Sequence, residues 1–166
     1  MQFRRVIVNA KCLSAIKDES RKAKGVETGG PLVGYVQEDR EALVVVDAGG
    51  PGPRARFEPF SVTIDGAFAQ RFCDDCYNES NGRFDYVGDW HKHPGLSLNP
   101  SKHDIEAIKA MAEFEQSPTK FPISLIFSTW LRRFRVFVWD GTDSLVRIPS
   151  AAESQRYCRR LSHPKS

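Results

Sequence analysis

Two histidines one residue apart stand before a proline in Gly88-Asp89-Trp90-His91-Lys92-His93-Pro94, and an aspartate follows in Pro100-Ser101-Lys102-His103-Asp104. Side chains alternate across a β-strand, so His91 and His93 share a face and can grip one ion while Lys92 points away. Pro94 interrupts a regular ladder and Pro100-Ser101 opens a helix, which puts Asp104 in its first turn, able to fold back towards the histidines. Two imidazoles and a carboxylate leave a fourth tetrahedral position for water. That is the open arrangement of a catalytic site, and Zn2+ is the predicted ion. Hydrolysis there also needs a group that takes a proton from water and hands one to the leaving amine. Glu27 is the candidate, in Val26-Glu27-Thr28-Gly29-Gly30-Pro31, where adjacent glycines permit another segment to come close. Spacing alone does not bring it to His91.

Each of these residues has a plainer reading. His91 and His93 can be ordinary strand residues, and Ser101-x-x-Asp104 has the pattern of a capping box, hydroxyl and carboxylate satisfying free amides at a helix start. Cys73-x-x-Cys76 lacks the second pair or H-x-x-H that completes a structural zinc site. With Cys12 and Cys158 these cysteines read as free thiols, since the chain carries no export signal. His103 and His163 read as solvated or core histidines, Trp90 and Trp139 as core. Arg132-Arg133 beside Trp130 reads either as a patch that holds a partner or as a solvated edge.

The elements that must position these side chains follow from periodicity and punctuation. Residues 3–8 read as a strand, 10–22 as a helix, 31–36 and 42–46 as a largely buried hairpin, and 61–79 as a long helix stopped by Asn81-Gly82. A strand over 84–93 then carries the histidines, a helix over 101–115 carries Asp104, and strands cover 123–127 and 134–139, with 145–148 a candidate for a last one. The Gly/Pro-rich stretch 49–56 reads as a mobile surface loop. The predicted class is α/β: a single mixed sheet of about six strands packed against helices. Residues 1–150 form one domain in this reading, and 151–166 a polar tail.

Composition excludes more than it names. With 166 residues, 40% hydrophobic and 27% charged, the chain has the makeup of one self-folding globular domain. Its net charge of +3, from 24 Lys plus Arg against 21 Asp plus Glu, is too small and scattered for a nucleic-acid footprint. No run approaches the ~20 apolar residues needed to cross a bilayer, and the start lacks the apolar core of a signal peptide. A cytoplasmic protein without nucleic-acid or membrane partners is the expectation.

Glu27-Thr-Gly-Gly, then His91-x-His93-Pro, then Ser101-x-x-Asp104 resembles the signature of the JAMM (MPN-plus) zinc metallopeptidases, with no departure at these five positions. The resemblance runs from Glu27 to the strands ending near Trp139. It implies the family's curved sheet between helices, an MPN/cytidine-deaminase-like fold. It also implies Glu27 as general acid/base, His91, His93 and Asp104 as zinc ligands, and Ser101 as the donor to the tetrahedral oxyanion. The implied substrate is the bond after the C-terminal glycine of a ubiquitin-like protein, in conjugates or a precursor; related members process sulfur-carrier proteins. The Gly-Asp-Trp-His-x-His-Pro wording is most similar to prokaryotic members encoded beside E1- and E2-like enzymes, including deconjugating peptidases of antiphage systems. The loop 49–56 lies where members grip the ubiquitin-like partner. Non-catalytic MPN scaffolds, the rival reading, usually lack a metal ligand, and this chain lacks none.

Overall fold

Runs of β-branched and aromatic residues bounded by glycine, proline and charge set the strands, and apolar stripes at helical spacing set the helices. In the computed structural model, which describes residues 3–58 and 60–152, these become β1 Arg5–Val8, α1 Ala10–Lys22, β2 Thr28–Gln37, β3 Ala42–Ala48, β4 Arg56–Glu58, β5 Ser61–Thr63, α2 Gly66–Glu79, β6 Asp85–His93, α3 Lys102–Glu113, β7 Ile123–Ser128, β8 Arg133–Trp139, β9 Leu145–Ile148 and β10 Ser150–Ala152. Eight strands form one mixed sheet in the order β10-β1-β3-β2-β6-β7-β8-β9, and β4 pairs with β5 as a separate hairpin. The α/β class and single sheet agree with the sequence reading, with more strands than the six expected.

The additional strands come from closure. β9 and β10 lie at opposite ends of the strand order yet are separated only by Pro149, so the two edges meet and the sheet curls nearly into a barrel. The Val6 amide donates to the Pro149 carbonyl at 2.9 Å. Curling in this way covers edges that would otherwise present unpaired backbone. Ala151 and Ala152, assigned to the tail from sequence, pair in parallel with Ile7 and Val8. Residues 153–166, with Cys158 and His163, lie outside the described residues.

Two local expectations are corrected. The second helix begins at Gly66, not at Ser61: Asp65 caps it by accepting the Phe68 amide at 3.2 Å, and the β-branched residues before it extend and pair with β4. The Gly/Pro stretch is not wholly at the surface either, since Gly49 and Pro51 are buried. The Trp90 indole donates to the Gly49 carbonyl at 2.8 Å, the Gly49 amide to Pro31 at 2.9 Å, and the Asp65 amide to Pro51 at 2.8 Å. These bonds fasten the loop as a strap across β2. Gly30 makes that possible, because a Cβ there would stand 2.1 Å from the Gly49 carbonyl oxygen.

The sheet is covered on both faces. Cys12, Leu13 and Ile16 of α1 join Val6, Leu32, Leu43, Val45, Trp90 and Leu125 in the main core. Cys73 of α2 packs with Val33 and Tyr86, and Ile108 and Ala112 of α3 pack with Trp139.

Candidate metal centre

The site is built on β6. Its alternation puts Asp89, His91 and His93 on one side and Trp90 and Lys92 on the other. As expected, Lys92 faces away: it is 3% exposed, and its ammonium donates to the carbonyls of Ser20 and Ala23 at the end of α1. A cation suits a helix C-terminus. Burial lowers the Lys92 pKa from its usual value, and the Glu27 carboxylate opposes that shift.

Asp104 arrives from the first turn of α3. The Asp104 amide donates to the Ser101 hydroxyl at 3.2 Å and the Ser101 amide to the Asp104 carboxylate at 2.5 Å, so the capping box is present in full. The same carboxylate reaches the histidines: His91 Nε2 stands 3.3 Å from one oxygen and His93 Nε2 3.3 Å from the other, with the two Nε2 atoms 3.1 Å apart. Cap and ligand are therefore compatible roles. The Ser97 carbonyl lies 3.2 Å from His93 Nδ1, which orients that ring with Nε2 towards the cluster. Burial by itself would raise the Asp104 pKa; contacts with His91 and His93 outweigh it and hold the carboxyl far below the usual range. Burial would lower His93, and the hydrogen bond to Asp104 turns the net shift upward.

Glu27 precedes β2, whose Thr28 is in register with Lys92, so Glu27 comes level with His93. It is 9% exposed and lines the same cavity, of about 80 Å³, as His91 and Asp104. Burial raises its pKa, with His93 and His91 pulling in the opposite direction. The two glycines beside it serve the purpose read from sequence: a Cβ on Gly29 would stand 2.4 Å from the Trp90 carbonyl oxygen, so only glycine lets β2 approach β6 this closely.

The cavity includes residues that the sequence reading passed over. Asp89 and Ser124, neighbours in the β6–β7 register, both line it, as do Val62 and Ile64 beside the hairpin. Asp89 accepts a hydrogen bond from the Tyr86 hydroxyl at 3.0 Å, and burial pushes its pKa up to about 6. The Ser124 hydroxyl, 1% exposed, has no hydrogen-bond partner. Extending the His91/His93 alternation back by two residues would have found Asp89; Ser124 had no such signal. His103 is exposed, as expected, but also lines the cavity. Cys73 and Cys76 are free thiols on α2, apart from the cluster.

Among the described residues, His91, His93 and Asp104 form the one group whose ligand atoms lie within 4.8 Å of each other. Donors about 2.0–2.1 Å from a tetrahedral ion stand about 3.3–3.4 Å apart; each histidine Nε2 stands at that distance from one Asp104 oxygen and 3.1 Å from the other histidine. The donor set and its spacing fit a divalent metal.

Comparison with known proteins agrees. The profile of the family described as prokaryotic homologues of the JAB domain matches residues 9–139. A probable metalloprotease of Sinorhizobium fredii is 30% identical over 130 residues, 76% of each chain. A CD-NTase/cGAS isopeptidase of Enterobacter hormaechei is 25% identical over 126 residues, 73% of this chain and 66% of that one. The solution structure of a Desulfitobacterium hafniense protein shares the fold with a TM-score of 0.66 at 16% identity, over 90% of this chain and 94% of the other. The chain belongs to the prokaryotic JAB-domain family, JAMM-type metallopeptidases.

Proposed function

We propose that this protein is a zinc isopeptidase that cleaves after the C-terminal glycine of a ubiquitin-like modifier, releasing it from target proteins or trimming its precursor. The observation that carries the reading is the cluster of His91, His93 and Asp104, two of whose members, His91 and Asp104, line one cavity together with Glu27. Bound zinc supplies Lewis acidity, which acidifies water and polarises a carbonyl. Glu27 takes the proton from the attacking water and delivers it to the departing amine; a carboxyl with a raised pKa suits both tasks. Ser101 accepts the Asp104 amide, which leaves its own O–H free to donate to the oxyanion.

The modifier's tail lies along the hairpin, where Val62 and Ile64 border the cavity, with the exposed Arg54 and Arg56 beside it. The isopeptidase names of relatives from Enterobacter hormaechei and Escherichia coli support a place in a bacterial conjugation system of the antiphage kind, with E1- and E2-like enzymes as partners. The test is zinc content by elemental analysis, paired with cleavage of a ubiquitin-like protein fused through its terminal glycine. The wild type should hold about one zinc and cleave, His91→Ala should lose both, and Glu27→Gln should keep the metal and lose turnover. Cleavage retained by either variant would sink the assignment.

A further inference from the structure

β6 and β7 run parallel with His93 level with Ser128, so the β7–β8 turn, residues 129–132, lies at the same end of the sheet as the metal cluster. The turn is fastened to the loop that follows His93. The Ser128 hydroxyl donates to the Gly95 carbonyl and accepts the Leu131 amide, both at 3.2 Å, and Arg135 donates to the Asn99 side chain at 2.9 Å. The joined loops carry three exposed apolar side chains, Leu96, Trp130 and Leu131, at 66%, 76% and 41%. Arg132 sits at φ +49°, a left-handed position where glycine or asparagine costs less, so local backbone preference does not account for an arginine there. Arg132 also shares a groove of about 420 Å³ with Lys17, Arg21 and Phe127, and Arg133 follows it. Of these cations, Arg21 is paired, with Asp18.

A conjugate held at the metal must leave the site on two sides. Under the isopeptidase reading, on which this inference rests, the modifier occupies the hairpin side, next to β2. The exposed apolar side chains lie across β6 on the β7 side, where the leaving partner emerges. We propose that Leu96, Trp130 and Leu131, with Arg132 and Arg133 beside them in the chain, dock the target protein through apolar side chains ringed by carboxylates next to its modified lysine. Charge complementarity selects an acidic surface, and a central tryptophan with arginines is the composition that concentrates binding energy.

Trp90 and Trp139 are 1% and 3% exposed, so a shift in tryptophan emission reports on Trp130. The first probe is a free synthetic peptide with glutamates and leucines around one lysine; the second is the same peptide with the glutamates replaced by lysines. The acidic peptide should shift the emission to the blue, more weakly as salt rises, and bind Arg132→Glu/Arg133→Glu at least about tenfold less tightly. The basic peptide should give no shift. Trp130→Ala should then lower kcat/KM about tenfold on the modifier joined to the acidic peptide's lysine, and less than about twofold on the modifier carrying a short uncharged extension. No shift with the acidic peptide, or an equal one with the basic peptide, overturns the docking surface. Equal losses on both substrates overturn it too, because the modifier itself would then occupy this surface. A shift without cleavage of either substrate by the wild type overturns the isopeptidase reading and leaves an acidic-peptide surface standing.

Discussion

His93 joins the chemistry of the site to its electrostatics. In the metal-free protein its pKa is raised above the ordinary 6.5 by Asp104, against the effect of burial. The proton on that ring therefore contributes stability that is fully present below 6.5 and is lost as pH rises through the folded value. Metal binding must displace this proton, so zinc affinity should climb with pH through and above 6.5. Titration of the apo protein with zinc by calorimetry between pH 5.5 and 8, ~10-fold steps in affinity being readily resolved, checks this. An affinity flat across that range would contradict proton competition at the cluster.

At the scale of elements, α3 begins with Ser101, which caps the helix and to which the proposed function gives a second task. Replacing Ser101 by alanine removes both the cap and the hydroxyl, whereas glycine at an N-cap costs only a few tenths of a kcal/mol. Ser101→Gly should keep a melting temperature close to wild type and lose turnover about a hundredfold, while Ser101→Ala should also lose about 1 kcal/mol of stability. Thermal melts beside cleavage rates separate cap from donor; full activity in Ser101→Gly would assign Ser101 to capping alone. α2 makes a contrasting case. Its C-x-x-C is core filling, with Cys73 buried beside Val33 and Tyr86 and its pKa pushed up to about 12 by burial and nearby Asp89. Thiolate is the reactive form, so Cys73 should resist alkylation at pH 8 until denaturant is added. Peptide mapping of the alkylated native protein measures this directly.

At the scale of the whole molecule, the strap from Gly49 to Pro51 ties α2 to β2, which follows Glu27, and to β6, which carries the histidines. Gly30→Ala would drive a methyl into the Gly49 carbonyl, 2.1 Å away, and should destabilise the fold by roughly 1–3 kcal/mol, visible in denaturant unfolding. Gly29→Ala, whose methyl would stand 2.4 Å from the Trp90 carbonyl oxygen, should also weaken zinc binding, since β2 would have to move from β6.

The three candidate ligands were legible because they are local. Alternation gathers His91 and His93, a proline and a helix start return Asp104, and the segment spans only residues 91–104. The main helices and the central strands were legible for the same reason, since period and punctuation act within a few residues. Long-range pairing was not. Glu27 reached the site through resemblance, and its place beside His93 depends on the β2–β6 register, which only the folded sheet decides. The pairing of β10 with β1, the burial of the Gly/Pro strap under Trp90, and the entry of Asp89 and Ser124 into one cavity arise from the same cause. Each joins segments far apart in the chain, where burial and backbone pairing override local preference.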